Sequence, residues 1–434
     1  MKRFLAIVAF AAFLSSLLHA QDKTLRIDYI FSGTAKSADI SLDCLSSIDG
    51  WAGRTVNMDK VPVKGNGQIS MTDLSTGNVI YRQSFSSLFQ EWQTTEEATL
   101  VRKSFENVML LPMPQSKARV TIELYDVFGS TMASLSHIVD PEDILIRRLT
   151  PSNAPFRYVH KGGDPKDCID VAIVAEGYTA EQAEDFYADA RRGVESILSY
   201  APFDKYADKF NFIAVALPSQ DSGVSVPSDG VWKNTALGSN YDTFYSERYL
   251  TTLNVKQMHD CLCGIPYEHI AILANCDTYG GGGIFNTYTL TTSKNKDFPT
   301  VIIHEFGHSF AGLADEYYYD DQYSEYYYPG FEPWEQNITT LENFGEKWAD
   351  MLLEGTAVPT APMDDASLWQ SIASGACADS FVGVYEGAGY QSKGVYRPFP
   401  DCRMKTLSAD IFCPVCQRAI ENVILYHLIQ LSER

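Results

Sequence analysis

The sequence predicts an α+β protein in which an N-terminal antiparallel β-sandwich precedes a second domain with a mixed, twisted sheet and packed helices. Three observations support this prediction. Apolar and polar residues alternate from residue 25 to about residue 139, whereas buried-type strands and helical spacing follow residue 166, and a stretch rich in proline and glycine separates the two patterns. The 434 residues, 45% of them hydrophobic, are enough for two or three globular domains.

Residues 1–20 have the pattern of a cleaved signal peptide. Lys2 and Arg3 precede an apolar stretch that ends near Leu18, and Ala20 is a small residue at a plausible cleavage point. The stretch is shorter than the ~20 apolar residues of a membrane span, and no later stretch is long and apolar enough for one. We therefore expect an exported protein that is periplasmic, bound at the cell surface or secreted.

Residues 21–145 are expected to form the sandwich. In ARVTIELYDV, for example, Val120, Ile122 and Leu124 alternate with polar residues, as in a strand with one buried face. This part of the chain holds no cluster of metal-ligand residues, so we expect it to have a supporting or recognition role rather than a catalytic one. The linker is placed at residues 146–165, within a stretch that holds four prolines and two glycines.

Residues 166–434 are expected to form the second domain. An apolar run in CIDVAIV is typical of a buried strand. Thr179 and Gln182 fit a capping box, followed by a helix to about Leu198. The segment GIFNTYTLTTS, which begins at Gly283, alternates as an edge strand does.

The net charge of −21 arises from 55 acidic and 34 basic residues. Such a surface repels nucleic acid and anionic membranes, so we expect neither as a partner. We interpret the excess charge as a source of solubility.

His304, Glu305 and His308 form the motif H-E-x-x-H after the apolar run TVII. Residues four apart lie on the same face of a helix, so both imidazoles point to one position. Zinc bound there lowers the pKa of a water and polarises a carbonyl. Glu305 is suited to take a proton from the water and pass it to the leaving amine. The motif predicts an active-site helix of a zinc-dependent peptidase.

The third zinc ligand is not given by this motif alone. In metzincin zinc peptidases the pattern continues as H-E-x-x-H-x-x-G-x-x-H, but the last position here is Ala314. One inserted residue moves the glycine to Gly312 and the ligand to Asp315. A continued helix would carry residue 315 about 10 Å beyond His308, so the helix has to end first, and Gly312 is suited to end it.

Asp315 is therefore the expected third ligand, with Glu316 as the alternative and a distant carboxylate or histidine as a further one. The same carboxylate pair also fits a solvated acidic turn. With Asp320 and Asp321 it fits a Ca²⁺ site, so the expected cofactor is Zn²⁺ and Ca²⁺ is the secondary candidate.

A second informative segment closes the chain. Met404 lies in a proline-flanked stretch before the last predicted helix, as does the methionine turn under a metzincin site. Cys402, Cys413 and Cys416 surround it and predict either a disulfide, which export favours, or a structural metal site with Cys377 as a fourth ligand. The chain has nine cysteines, so at least one is free or bound to metal.

Four segments together resemble the bacterial IgA-peptidase family of zinc metallopeptidases: DVAIVAEGYTAEQAEDF, PSQDSGVSVPSDG, HEFGHSFAGLADEY and CRMKTLSADIFCPVCQRAI. The chain also resembles the subgroup with a separate N-terminal sandwich domain. The resemblance is strong from residue 164 to residue 434 and weak before it. It implies a metzincin-like catalytic domain with these roles: His304, His308 and Asp315 as zinc ligands, Glu305 as base and Met404 as the methionine turn.

The resemblance implies a protein or peptide substrate, with immunoglobulin a candidate on that ground only. Metzincin-like enzymes bind substrate as an added strand along a sheet edge. The expected substrate-binding residues are Gly283, Ile284, Phe285 and Asn286 at that edge, with Tyr396 at the oxyanion. The tyrosine-rich stretch after the motif is either an aromatic specificity wall or a packed surface loop. The alternative function is a catalytically idle zinc-peptidase fold that binds proteins or glycans.

Overall fold

The computed structural model describes residues 23–319 and 326–431. The predicted signal peptide and the two aspartates of the predicted calcium site, Asp320 and Asp321, lie outside the described residues. Eight strands and two short helices build the N-terminal domain: β1 (Lys23–Thr34), β2 (Ser37–Asp49), β3 (Gly67–Asp73), β4 (Val79–Phe85), α1 (Leu88–Trp92), α2 (Glu96–Leu100), β5 (Lys103–Pro112), β6 (Ala118–Tyr125), β7 (Thr131–Val139) and β8 (Arg147–Arg148).

The N-terminal strands form two four-stranded sheets, with strand orders β5-β1-β2-β8 and β4-β3-β6-β7. Every pair is antiparallel except β2 with the two-residue β8. Alternate residues of β1 and β6, such as Ile27 and Ile122, are fully buried in one core. The predicted alternation therefore places the inner faces of the two sheets against each other.

A mixed six-stranded sheet forms the centre of the C-terminal domain, with the order β13-β14-β12-β10-β11-β9. The four inner strands are parallel, and the two edge strands run antiparallel to their neighbours. The elements are β9 (Phe156–Lys161), β10 (Ile169–Glu176), α3 (Ala183–Leu198), β11 (Phe210–Val215), α4 (Val255–Cys261), β12 (His269–Ala274), β13 (Gly281–Ile284), β14 (Tyr288–Thr292) and α5 (Phe298–Ala311).

Both faces of this central sheet are covered. Along β10, Val171 and Ile173 face the core that α3 and α5 complete, while Ala172 and Val174 belong to the core that includes the sandwich. A strand buried on both faces is apolar at successive positions rather than alternate ones, which explains the continuous apolar run in the sequence. The capping box of Thr179 and Gln182 is confirmed at the entry to α3.

The predicted linker at residues 146–165 is not a free connection. Its first part supplies β8 to the N-terminal sheet, and its second part supplies β9 to the edge of the central sheet. Proline and glycine punctuate the segment, but FRYVHK between them has enough extended character to pair. The two domains therefore meet through a segment that belongs to both.

The predicted edge strand GIFNTYTLTTS is two strands of a hairpin. The glycine run itself forms the edge strand β13, and β14 lies one place further in, with all five residues buried. Asn286 takes a left-handed conformation (φ 52°) in the turn between them. The alternation of a short apolar segment did not distinguish an edge strand from its neighbour.

A smaller layer completes the C-terminal domain. It holds the sheet β15-β17-β16 and two helices: β15 (Tyr318–Tyr319), α6 (Asp365–Ala373), β16 (Tyr385–Ala388), β17 (Tyr390–Arg397) and α7 (Pro414–Leu428). Helix α7 packs on α5, and its C-terminal end reaches the N-terminal domain, where Asn57 Nδ2 donates to Tyr426 O over 2.7 Å.

Candidate metal centre and substrate cleft

Helix α5 carries His304, Glu305 and His308 in its last turns, against the hairpin of β13 and β14. The sheet, α3 and α7 cover this helix, and its side chains are correspondingly apolar on nearly all sides. The Thr289 hydroxyl on β14 donates to the backbone O of Glu305 over 3.3 Å. The motif is thus held by a buried helix and not by a surface one.

Helix α5 ends as the sequence predicts. Gly312 follows its last residue with φ 62°, and its N–H donates to His308 O. The left-handed turn sends the chain back towards the histidines. Asp315 Oδ1 then lies 3.0 Å from Nε2 of His304 and 3.2 Å from Nε2 of His308.

The tautomers of both histidines follow from their other ring nitrogen. Nδ1 of His304 donates to Arg403 O over 2.9 Å, and Nδ1 of His308 donates to Leu313 O over 2.6 Å. A carbonyl only accepts, so both Nδ1 atoms carry hydrogen and the neutral rings present lone pairs at Nε2. The two Nε2 atoms are 3.0 Å apart and share Asp315. Two lone pairs and a carboxylate that converge in this way could hold a cation at their centre.

The electrostatics of the same side chains favour a cation at this position. Burial alone would lower the pKa of His308, but Asp315 and Glu305 raise it to about 9. Burial alone would raise the pKa of Asp315, but the two imidazoles hold it well below its usual range. Without a cation between the two groups, His308 would therefore gain a proton at Nε2 and pair as an imidazolium with Asp315.

The dimensions of the triad fit a zinc ion. The three separations of 3.0, 3.0 and 3.2 Å put each ligand atom about 1.8 Å from their common centre. Zinc–nitrogen and zinc–oxygen bonds are about 2.0–2.2 Å long, so His304, His308 and Asp315 are close enough together to hold one ion between them. Three protein ligands with an open position are the arrangement of catalytic zinc sites.

Met404 supports the motif from below. A Cβ built on Gly307, which lies between the two histidines, would meet Met404 Sδ at 3.0 Å. The backbone O of Met404 accepts from Glu316 N over 2.8 Å, and its neighbour Arg403 holds His304. The segment around Met404 thus joins α5 to the loop that follows Gly312 and carries Asp315 and Glu316, which we call the returning loop.

Glu305 lies beside the triad with its carboxylate towards the cleft. It is buried, and burial raises the pKa of Glu305 while the two histidines counteract the rise. Its Oε1 would lie 3.1 Å from a Cβ built on Gly281, so the glycine strand leaves space for this side chain. A carboxylate with a raised pKa next to a metal centre is suited to proton transfer near neutral pH.

The triad opens into a cleft of about 1890 Å³ between the two domains. The glycines of β13 form one wall. Glu91 of the N-terminal domain faces them, and the hydroxyl of Tyr249 donates to its carboxylate. Several tyrosines also line the cleft, among them Tyr317, Tyr319, Tyr326, Tyr327, Tyr328 and Tyr390.

Comparison with known protein families decides the assignment. A family model described as IgA Peptidase M64 matches residues 158–373 and 363–424, and one described as Peptidase M64 N-terminus matches residues 18–136. The chain belongs to the IgA peptidase M64 family. No curated protein matches the sequence.

Membership of a peptidase family makes the chain a hydrolase that acts on a protein or peptide. The two matches also agree with the architecture of an N-terminal β domain and a C-terminal peptidase domain. Among residues 23–319 and 326–431, no helix is long and apolar enough to cross a membrane.

The cleft of this M64 peptidase contains only some of the substrate residues that the sequence predicts. Gly283, Ile284 and Phe285 line it. Asn286 instead binds the N-terminal domain, where its Nδ2 donates to Ser84 O over 2.8 Å. Tyr396 packs against the core of the peptidase domain, and its backbone pairs with Thr339.

Tyr390, six residues earlier, reaches the metal centre that Tyr396 was expected to approach. Its hydroxyl donates to Asp315 Oδ2. Side chains of β17 alternate in direction, but the tight turn at Gly389 brings the first residue of the strand beside the returning loop. Only the tyrosine-rich composition hinted at such a role.

Asn337 is a further functional residue that the sequence analysis missed. It is fully buried, accepts from Ala314 N and donates to Ala314 O, and it also donates to Glu316 Oε1 over 2.9 Å. It fixes the loop that carries Asp315. An isolated asparagine in a loop gives no sequence signal for this contact.

Glu316, the alternative third ligand, faces away from the histidines and lies with Cys402, Cys413 and Cys416. The disulfide that export favours is not formed: Cys402 and Cys416 have their Sγ atoms 3.8 Å apart, beyond the ~2.05 Å of an S–S bond. Cys377, expected as a further ligand, is exposed, and its thiol donates a hydrogen bond to Asp379 Oδ2.

Proposed function

We propose that this chain is an exported zinc-dependent endopeptidase, with His304, His308 and Asp315 as zinc ligands and Glu305 as the general base. The observation that carries the proposal is the convergence of two Nε2 lone pairs and one carboxylate on a single point. When bound there, zinc supplies Lewis-acid polarisation of the scissile carbonyl and lowers the pKa of a water.

The residues around the centre perform the rest of the reaction. Glu305 accepts a proton from the attacking water and returns it to the leaving amine. Its burial among apolar neighbours favours this role because a raised pKa brings the carboxylate nearer to neutral pH. Tyr390 holds Asp315 by its second oxygen, so the ligand keeps one orientation.

The cleft supports a polypeptide substrate rather than a small molecule. Its volume of about 1890 Å³ exceeds the roughly 300–1,000 Å³ of small-molecule pockets. The edge strand β13 borders it. Tyr249 already bridges its outer edge at Gly281, and the proposal places an extended peptide along the rest of that edge. The wall from the N-terminal domain gives that domain a part in substrate recognition.

The test compares wild type with Glu305→Gln on a library of peptides whose termini are blocked. We expect wild type to cleave internal bonds and the variant to lose about 10²–10⁴-fold in kcat/KM while it retains zinc. Glu354→Gln, which changes an exposed carboxylate that does not line the cleft, serves as the control and should keep wild-type activity.

Three results would oppose the proposal. Equal cleavage by wild type and Glu305→Gln would remove Glu305 from the mechanism. Cleavage only of peptides with a free terminus would indicate an exopeptidase. A wild-type protein that binds proteins or glycans and cleaves nothing would favour the idle binding module. Because the family is named for immunoglobulin A, that protein is included among the substrates.

A further inference from the structure

A second group of metal-binding side chains lies about the returning loop, on the side opposite the histidines. It consists of Glu316, Cys402, Cys413 and Cys416, all fully buried. Their ligand atoms all lie within 4.8 Å of one another. The four residues come from three segments: the loop after α5, the stretch around Met404 and the start of α7.

The spacing of the sulfur atoms matches coordination and not a covalent bond. Two sulfurs each about 2.3 Å from a tetrahedral zinc lie about 3.8 Å apart. The Sγ atoms of Cys402 and Cys416 are 3.8 Å apart. The Sγ of Cys416 is also 3.1 Å from Glu316 Oε1, so a single ion can reach both sulfur and oxygen.

Hydrogen bonds around the sulfurs favour thiolates. The backbone N–H of Cys413 donates to Cys402 Sγ over 3.1 Å, and that of Cys416 donates to Cys413 Sγ over 3.5 Å. Cys413 is the N-cap of α7, a position where the helix dipole stabilises negative charge. Cysteine binds metals as the thiolate, and these N–H contacts and the helix N-terminus stabilise that form.

The carboxylate of Glu316 gives an independent indication of a ligand. Its Oε1 accepts from Asn337 Nδ2 and from the Cys416 thiol, but its Oε2 is buried and has no hydrogen-bond partner among the residues that the structure describes. A buried carboxylate oxygen without a partner is costly. A cation held by the three sulfurs would offset the charge of this carboxylate.

We propose that Glu316, Cys402, Cys413 and Cys416 bind a structural zinc ion, separate from the ion held by the histidines. Four buried protein ligands leave no open position, which is the arrangement of structural zinc sites. Sulfur-rich tetrahedral sites select zinc or iron, and the carboxylate ligand favours zinc. The ion would tie the loop that carries Asp315 to the Met404 segment and to α7.

The site is tested in the full chain with the first centre disabled by His304→Ala and His308→Ala. The purified protein is incubated with ZnCl₂, freed of excess metal and analysed for bound zinc. We expect two zinc ions per wild-type chain and one in the double variant. X-ray absorption at the zinc edge of the double variant should give three sulfur neighbours at about 2.3 Å.

Adding Cys402→Ser and Cys416→Ser to the double variant should lower bound zinc from one ion per chain to none. Cys263→Ser, a buried cysteine outside the group, is the matched control and should keep one. If the added substitutions prevent folding, the absorption spectrum of the double variant still decides the question, because it needs no change at the cysteines.

Loss of all zinc in the double variant, a spectrum without sulfur neighbours, bound iron in place of zinc, or a disulfide between two of the three cysteines would each overturn the proposal. The outcome is separable from peptidase activity. An inactive wild type with two zinc ions would refute the proposed catalysis and keep this site. An active wild type with one zinc ion would do the reverse.

Discussion

Replacing Gly283 by alanine should damage the candidate metal centre although it substitutes none of the proposed ligands. A Cβ built at this position would lie 2.3 Å from the backbone O of Glu305 and 2.7 Å from Cβ of His308. Gly283 does not have a positive φ, so alanine introduces a steric change and no backbone strain of its own. The substitution therefore tests how closely β13 packs on α5.

The size of the effect follows from these distances. Non-bonded carbon atoms prefer separations of about 3.5–4.0 Å, so the strand and the helix have to move apart by about 1 Å. Overpacking of this kind costs roughly 1–3 kcal/mol of stability. A shift of about 1 Å at an active site costs up to ~10²-fold in rate, and both Glu305 and His308 lie at the contact.

The assay measures Tm and kcat/KM on a cleaved peptide for wild type, Gly283→Ala and Gly345→Ala. A Cβ on Gly345 meets nothing within 4 Å, so this control should behave as wild type. We expect Gly283→Ala to have a lower Tm and about 100-fold lower kcat/KM. If Gly283→Ala matches wild type in both quantities, β13 does not pack on the helix as described and the argument fails.

Three further predictions concern charge and orientation around the cleft. In protein treated with EDTA, the pKa of His308 is raised from 6.5 to about 9. Its contribution of about 3 kcal/mol to the free energy of unfolding is therefore complete below pH 6.5 and is lost as the pH rises to 9. Asp315→Asn should abolish this pH dependence in denaturant unfolding with EDTA, and an unchanged dependence of the unfolding free energy on pH would contradict the pairing. Tyr390→Phe should weaken zinc binding about 10–100-fold in competition with a chromophoric chelator, whereas Tyr396→Phe should not, and equal affinities would exclude the contact with Asp315. Burial raises the pKa of Glu91 from 4.5 to about 7, so ionisation of Glu91 destabilises the folded state as the pH rises through that range. Glu91→Gln should be up to about 3 kcal/mol more stable than wild type above pH 7 and equally stable below pH 4.5. A stability difference that does not change with pH would be the opposing result.

Local sequence patterns predicted the features that depend on local periodicity. The sandwich strands follow from alternation, and the shared face of His304 and His308 follows from a spacing of four residues in a helix. The end of α5 at Gly312 was predictable because only that glycine permits the required turn. These features need no knowledge of what the chain meets elsewhere.

Features that depend on distant contacts were not accessible in the same way. Tyr390 is 75 residues from Asp315 along the chain, and Cys416 is 100 residues from Glu316. Glu91 reaches the cleft only because the sandwich shares a core with the central sheet. Whether an apolar segment is an edge strand is likewise decided by its neighbours, which is why GIFNTYTLTTS was predicted as one edge strand and not as part of the hairpin of β13 and β14.

The ambiguity between Asp315 and Glu316 has a structural reason. Gly389 N donates to Asp315 O and Tyr390 N donates to Tyr317 O, so the returning loop runs extended beside β17. Successive side chains of an extended segment point to opposite sides, and the two carboxylates therefore face different groups of ligands.

A shift of this loop by one residue would exchange the carboxylates between the two groups. Two contacts oppose such a shift: Asn337 binds both backbone groups of Ala314, and Met404 O accepts from Glu316 N. The register is thus fixed by residues far away in sequence and not by the distance from His308. The inserted residue after H-E-x-x-H is compatible with a metal site for this reason, because the loop is anchored on both sides of Asp315.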